Sequence, residues 1–295
     1  MKKMQKIKKT RKILSPLSAL LLACLLLGAC PARGAEEVVV TSPWLALLVN
    51  FIGGVNVKAV PIQDWNEEGD LTRRIQSRAL QSLPPESLIM AFDEKDAQDA
   101  GIPLGQYGNF RSLYSRLPLD EGKIDVSFSD PSVIPFIAQR VLTTLADWDP
   151  ANYSYYQRRL AEFQARLYSI TLAGRQVLKG QSVYDLTGHS GPLLQAAGCR
   201  LTRPAPEVFS SWISGGESEL LAAAIAQMAE EKTAVVLDHS TPKMIRALLA
   251  SNPAAFLITR PKPEQDYPAF LQDQYLSLWS KITLKPLKGL SPLTH

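Results

Sequence analysis

Histidine and cysteine are scarce in this chain, with three of each in 295 residues. Cys24 lies inside an apolar N-terminal run, Cys30 directly follows that run, and Cys199 stands alone in the remainder. That set offers no intramolecular disulfide, even in an oxidising compartment. His295 is the last residue, so imidazole chemistry falls to His189 and His239. Blocks of one charge are missing beyond the N-terminus. Seven basic residues and no acid precede Cys30, so losing that segment takes the formal net charge from +4 to −3. A chain with that balance and no basic stretch gives no electrostatic case for nucleic acid. The apolar run from Ile13 to Ala29 is broken by Ser and Pro, and it falls short of the roughly 20 residues that span a bilayer. No repeat and no low-complexity tract is present. Gly-x-Ser-x-Gly is also missing, so Thr187-Gly188-His189-Ser190-Gly191 reads as a strand-to-helix turn rather than a hydrolase elbow.

What is present begins with an export signal. A cationic stretch, MKKMQKIKKTRK, precedes the apolar run, and Leu27-Gly28-Ala29-Cys30 has the form of a lipobox. Residues 1–29 are therefore expected to be removed and Cys30 to be lipidated. The chain would then be tethered to the extracytoplasmic side of a bacterial membrane without spanning it.

The stretch from Asp149 to about Gly180 organises the rest. Its apolar residues Tyr153, Tyr156, Leu160, Phe163, Leu167 and Ile170 alternate steps of three and four, which aligns them on one helical face. Asp149 is suited to cap the first free N–H groups, and Pro150 fits the first helical position. Gly174 costs about 1 kcal/mol relative to Ala and need not end the helix. Such a helix is roughly 45 Å long at about 1.5 Å per residue, whereas a domain of about 115 residues is only about 30 Å across. It is read as a spine joining two lobes.

Strand and helix patterns alternate on both sides of it. In the first lobe, strands are expected at Val38–Thr41, Val55–Pro61 and Ser87–Phe92, with helices at Trp44–Ile52 and Leu71–Leu80. Residues 93–123 read mostly as loop with one short helix. Asp93 to Asp96 read as a solvated turn, and Asp130-Pro131 as the opening of a helix carrying Ile134, Ile137, Val141 and Leu145 on one face. In the second lobe, strands are expected at Ser182–Thr187, Cys199–Arg203, Thr233–Leu237 and Ala254–Thr259. Helices are expected there at Pro192–Ala197, Ser218–Glu231, Pro242–Ala250 and Tyr267–Ile282. The fold class is α/β, two parallel-sheet lobes joined by one long helix. The boundaries are 30–148, 149–180 and 181–295, after the signal.

Three segments carry a family resemblance. VVVTSPWLALLVNFIGGVNVKAVPI, SDPSVIPFIAQRVLTTLADWDPANYSYYQRRLAEFQARL and GGESELLAAAIAQMAEEKTAVVLDHSTPK resemble, in order and spacing, the solute-binding proteins of zinc/manganese ABC transporters. The resemblance implies capture of a metal ion between the lobes by imidazoles and carboxylates, and delivery to a permease. It implies no enzyme activity, no resident cofactor and a monomer. The usual ligand set is not conserved. Where the first ligand histidine is expected stands Gln63-Asp64-Trp65; at the second stands Val126, with Asp125 adjacent. Thr187 holds the third place with His189 two residues on, the fourth region offers Asp238 and His239, and a further usual Asp is replaced near Arg260.

Ligands in open α/β sheets bind beyond the carboxyl ends of strands, where His189 and His239 both fall. His189, His239 and Asp238, with Asp64 or Asp125 from the first lobe, would make a nitrogen–oxygen site suited to Zn²⁺, and less specifically to Mn²⁺. Trp44 and Trp65 could instead line a pocket for an organic ligand. A binding or scaffold protein that has lost the metal is therefore the alternative.

Overall fold

Val38-Val39-Val40 is β-branched throughout and too short for a helix. In the computed structural model it ends strand β1 (Glu36–Val40), buried between β2 (Val57–Pro61) and β5 (Leu88–Ala91). Both pairings are parallel, with Val38 opposite Ala59 and Leu88. The structure describes residues 35–84, 86–103, 105, 107–115, 123–213, 218–230 and 233–283. The signal segment and Cys30 lie outside them. No helix among the described residues is long and apolar enough to cross a membrane.

The first sheet has the order β2-β1-β5-β6, with β6 at Phe110–Ser112. The second contains β7 (Ser182–Asp185), β8 (Arg200–Thr202), β9 (Ala234–Leu237) and β10 (Ala255–Leu257), in the order β8-β7-β9-β10. Every neighbouring pair in both is parallel. Numbered within its own lobe, each sheet runs second-first-third-fourth, so the two lobes share one topology. The expected fold class is borne out.

Between the sheets lies a helical layer. Helix α1 (Pro43–Gly53) is capped by Ser42, whose hydroxyl accepts from Leu45 N at 3.3 Å, and every residue but Asn50 is buried. A helix apolar on all sides belongs inside a protein, and α1 packs on α5 (Ile134–Trp148) and on the spine, α6 (Tyr153–Leu178). The spine's opposite flank receives α11 (Tyr267–Thr283) of the second lobe. Tyr156, Leu160, Phe163 and Leu167 are buried as their spacing predicts, whereas Tyr153 is exposed. Gly174 does not end α6; a Cβ there would lie 2.6 Å from the Tyr275 ring, so glycine lets α11 approach closely. One hydrophobic cluster runs from Val38 and Met90 through Phe163 and Leu167 to Val236 and Tyr275, spanning both lobes. Smaller clusters cover the outer face of each sheet.

The remaining helices are α2 (Ser77–Gln81), α3 (Glu94–Asp99), α4 (Lys123–Phe128), α7 (Gly191–Ala196), α8 (Pro206–Ile213), α9 (Ser218–Glu230) and α10 (Lys243–Leu249). Several differ from expectation. Leu71–Arg73, expected to be helical, is strand β4, paired antiparallel with β3 (Gln63–Trp65). The Asn66 side chain accepts from Glu68 N at 3.0 Å and Asp70 N at 2.9 Å, and Gly69 adopts φ +86°. That Asx turn reverses the chain before a helix can start. Asp93 is not a solvated turn residue: it is buried, and its carboxylate accepts from Asp96 N at 2.8 Å to cap α3. Asp149 does not cap the free N–H groups as expected: a 3₁₀ turn (Pro150–Asn152) precedes the spine, and the Asp149 carboxylate accepts instead from Asn152 Nδ2 at 2.7 Å and Tyr156 OH at 2.8 Å. Strand β6 and helix α8 have no counterpart in the sequence reading.

Candidate functional site

The loops that follow the strands of the two sheets meet in one cleft, as the switch-point rule for parallel sheets requires. In the second lobe the loop after β7 is gathered by Asp238, the residue after β9. One carboxylate oxygen accepts from His189 N, Ser190 N and Ser190 Oγ, each at 3.0 Å. The other accepts from Ser240 N at 3.0 Å, Thr241 N at 3.2 Å, Gly188 N at 3.3 Å and the Ser240 hydroxyl. Burial pushes this carboxyl up, but the donors of Ser240, His189, Ser190 and Gly188 together hold it below the usual carboxylate range. With both oxygens engaged, Asp238 works as a staple between loops.

Held that way, His189 extends across the cleft to the first lobe. Its Nδ1 lies 3.4 Å from Asp125 Oδ2 without hydrogen-bond geometry, and this buried nitrogen has no other hydrogen-bond partner among the described residues. Asp125, on α4, accepts from Trp44 Nε1 at 2.8 Å through Oδ1 and from Arg260 Nη2 at 3.2 Å through Oδ2. The Arg260 guanidinium also lies 4.2 Å from the centre of the Trp65 ring, within cation–π range. Trp65 Nε1 in turn donates to Pro261 O at 3.0 Å. An imidazole and a guanidinium thus converge on one oxygen of Asp125, both arriving from the opposite lobe.

His239 is held by the β3–β4 hairpin. Its Nδ1 lies 3.2 Å from Glu68 O; a carbonyl only accepts, so Nδ1 carries the proton and Nε2 keeps a lone pair. Burial, reinforced by Arg260 and Arg246, holds this imidazole below the ordinary histidine value and therefore neutral at pH 7. Gly69 at the hairpin tip meets the His239 ring so closely that any Cβ there would clash. Lys243 pairs with Glu68 alongside.

Two spaces flank Arg260. The inner one, lined by Trp44, His189, Asp238, His239, Thr259 and Arg260 among others, leaves about 20 Å³ for the centre of a water molecule, room for one. The outer one, about 350 Å³ and open, is lined by Asp64, Trp65, Arg260 and Pro261–Glu264. Asp64 therefore lines a different space from His189, and Arg260 lines both. Its carboxylate accepts from Trp65 N at 2.9 Å and sits 3.5 Å from Arg74 Nη1. The structure brings His189, His239 and Asp238 to one small cavity with Asp125 at 3.4 Å from His189, and leaves Asp64 outside it. No group of three or more His, Cys, Asp or Glu among the described residues has an arrangement that would hold a metal ion. Cys199 is no substitute, since burial pushes its thiol up to about 11.

No protein-family model matches the chain, and no curated protein matches it in sequence. Solved structures match its fold. A crystal structure of ZnuA superposes with a TM-score of 0.60 at 17% identity, covering 84% of this chain and 100% of that one. Lmb of Streptococcus agalactiae, a laminin-binding protein described as having adhesin and metal transporting activity, gives 0.59 at 15% identity over 84% and 100%. FpvC of Pseudomonas aeruginosa, solved in complex with Mn²⁺, gives 0.56 at 13% identity over 84% and 98%. This chain thus has the two-lobe fold of the solute-binding proteins of zinc/manganese ABC transporters, and the resemblance drawn from its sequence holds at the level of fold.

Proposed function

We propose that the protein is the capture component of a metal-type ABC importer, tethered by lipid at Cys30 on the extracytoplasmic side and acting as a monomer. The observation that carries this is the meeting of Asp125 and His189 from opposite lobes, 3.4 Å apart, beside the cavity that His239 also lines. The cargo is Zn²⁺, or less specifically Mn²⁺, with His189, the free Nε2 of His239 and Asp125 as donors. Asp238 supports them by fixing the His189 loop, and Asp64 joins only if Trp65 moves. The filled form then docks on its permease. Capture and release require no covalent chemistry and no resident cofactor.

Arg260 favours a second reading, in which the cleft has given up the metal and takes another small ligand or none. Calorimetric titration of the chelator-stripped chain lacking residues 1–29 separates the two. One-to-one binding of Zn²⁺ that a His189→Ala/His239→Ala variant loses supports capture of metal. No heat above background retires it.

A further inference from the structure

Arg260 occupies the middle of the cleft, and nothing proposed above gives it a task. Its side chain is 16% exposed and reaches from the second lobe to two residues of the first: Nη2 meets Asp125 Oδ2 at 3.2 Å, and the guanidinium faces the Trp65 ring at 4.2 Å. Its Nε is buried without a hydrogen-bond partner among the described residues, a cost that a chain would shed if this position mattered only for packing. An arginine side chain does not lose its charge in a protein, so this cation is permanent.

The oxygen it holds is the one that faces His189. An ion coordinated there would sit about 2.0–2.2 Å from Oδ2, inside the space between that oxygen and Nη2 and against a like charge. The neutralised carboxylate would attract it weakly. Arg260 also lines both the inner cavity of about 20 Å³ and the outer pocket of about 350 Å³.

We propose that Arg260 is a tethered competitor for the cargo. Its guanidinium fills the cation position between Asp125 and Trp65 and keeps the cleft shut, and a divalent ion gains Asp125 and His189 only by displacing it. Arg260 thereby sets a threshold: the cleft stays self-occupied at low metal concentration. This rests on the capture reading only in taking Asp125 and His189 as the place where an ion enters.

The test is titration of Zn²⁺ into the chelator-stripped mature chain and into Arg260→Ala, Arg260→Met and Arg260→Ala/His189→Ala variants, each first checked for a native melt by circular dichroism. Arg260→Met keeps an apolar stem against Trp65, so it carries the test if the Ala variant fails to fold. Both single variants are expected to bind Zn²⁺ at least about tenfold more tightly than the native chain, and the double variant is expected to lose that gain. Single variants no tighter than the native chain, or a gain that survives the loss of His189, would overturn the proposal. A native chain that binds nothing beside single variants that bind tightly would support the competitor while retiring metal capture as the native activity. A native chain that binds as tightly as its variants would do the reverse.

Discussion

The two lobes share a topology, and each uses an acid after its third strand to tie down the loop after its first. In the second lobe Asp238 is that acid; in the first it is Asp96, which accepts from Thr41 Oγ1 at 2.5 Å and from Phe92 N at 2.8 Å. Burial is nearly equal, with 8% exposure for Asp96 and 5% for Asp238. The titration is opposite. Burial, helped by the like charges of Asp93 and Asp99, outweighs the two donors at Asp96 and pushes it up to about 6, whereas the many donors at Asp238 outweigh burial and hold it down. Donors and neighbouring charges, more than surface exposure, decide whether a buried carboxylate is a strain or a clamp. The clamp lies under the loop that carries His189, where the backbone must hold still.

The largest test of that difference is Asp238→Ala, which strips the shared acceptor from Gly188, His189 and Ser190 and leaves buried donors unpaired. A loss of about 3 kcal/mol or more is expected in urea unfolding at pH 7. Asp96→Asn should move the other way, because the amide oxygen still accepts from Thr41 and Phe92 without a buried charge. A gain of about 2 kcal/mol is expected at pH 8, where the native acid is ionised, and almost none at pH 4. The pH dependence of the native chain sharpens the contrast. Asp96 has a folded value near 6 against 3.8 ordinarily, so the fold loses stability as pH rises from about 4 to about 6. Asp238 is depressed, so its contribution is present above the ordinary value and fades only as pH falls below it. Hydrogen exchange by local opening at Phe92 N should therefore slow on going from pH 7 to 4.5, after correction for intrinsic rates, while local opening at Ser190 N stays unchanged. Ser190→Ala removes one of several donors to Asp238, and a cost of about 1 kcal/mol is expected by the same urea measurement.

Much of this architecture was legible before the structure. Long periodic stretches announce themselves, so the spine and α5 were readable from spacing, and β1, β5 and β9 from unbroken apolar runs. Three-residue strands such as β4 and β6 carry no period, and Thr72 between Leu71 and Arg73 fits a helix as well as a strand until β3 is placed beside it. The cleft was legible as a place and not as a chemistry. His189 and His239 could be put at strand ends, but Asp238 could not be recognised as saturated, because four of its donors, from Gly188, His189 and Ser190, come from 48 to 50 residues away. Arg260 was noted where a carboxylate was expected; its partner Asp125 lies 135 residues earlier, and only folding brings the two together.

The hydrophobic cluster that runs unbroken through α6 has a consequence for how the molecule comes apart. The inner faces of the two sheets belong to one continuous cluster, which passes through Phe163 and Leu167 of the spine. The Arg166–Asp266 fork, with both hydrogen bonds at 2.8 Å, adds a polar rivet along the same seam. A fragment ending after either sheet would expose half of a shared interior, so the lobes are halves of one cooperative folding unit that melts in a single step. A cleft built on such a unit is entered by turning side chains such as Arg260 and Trp65, not by swinging one half of the protein away from the other.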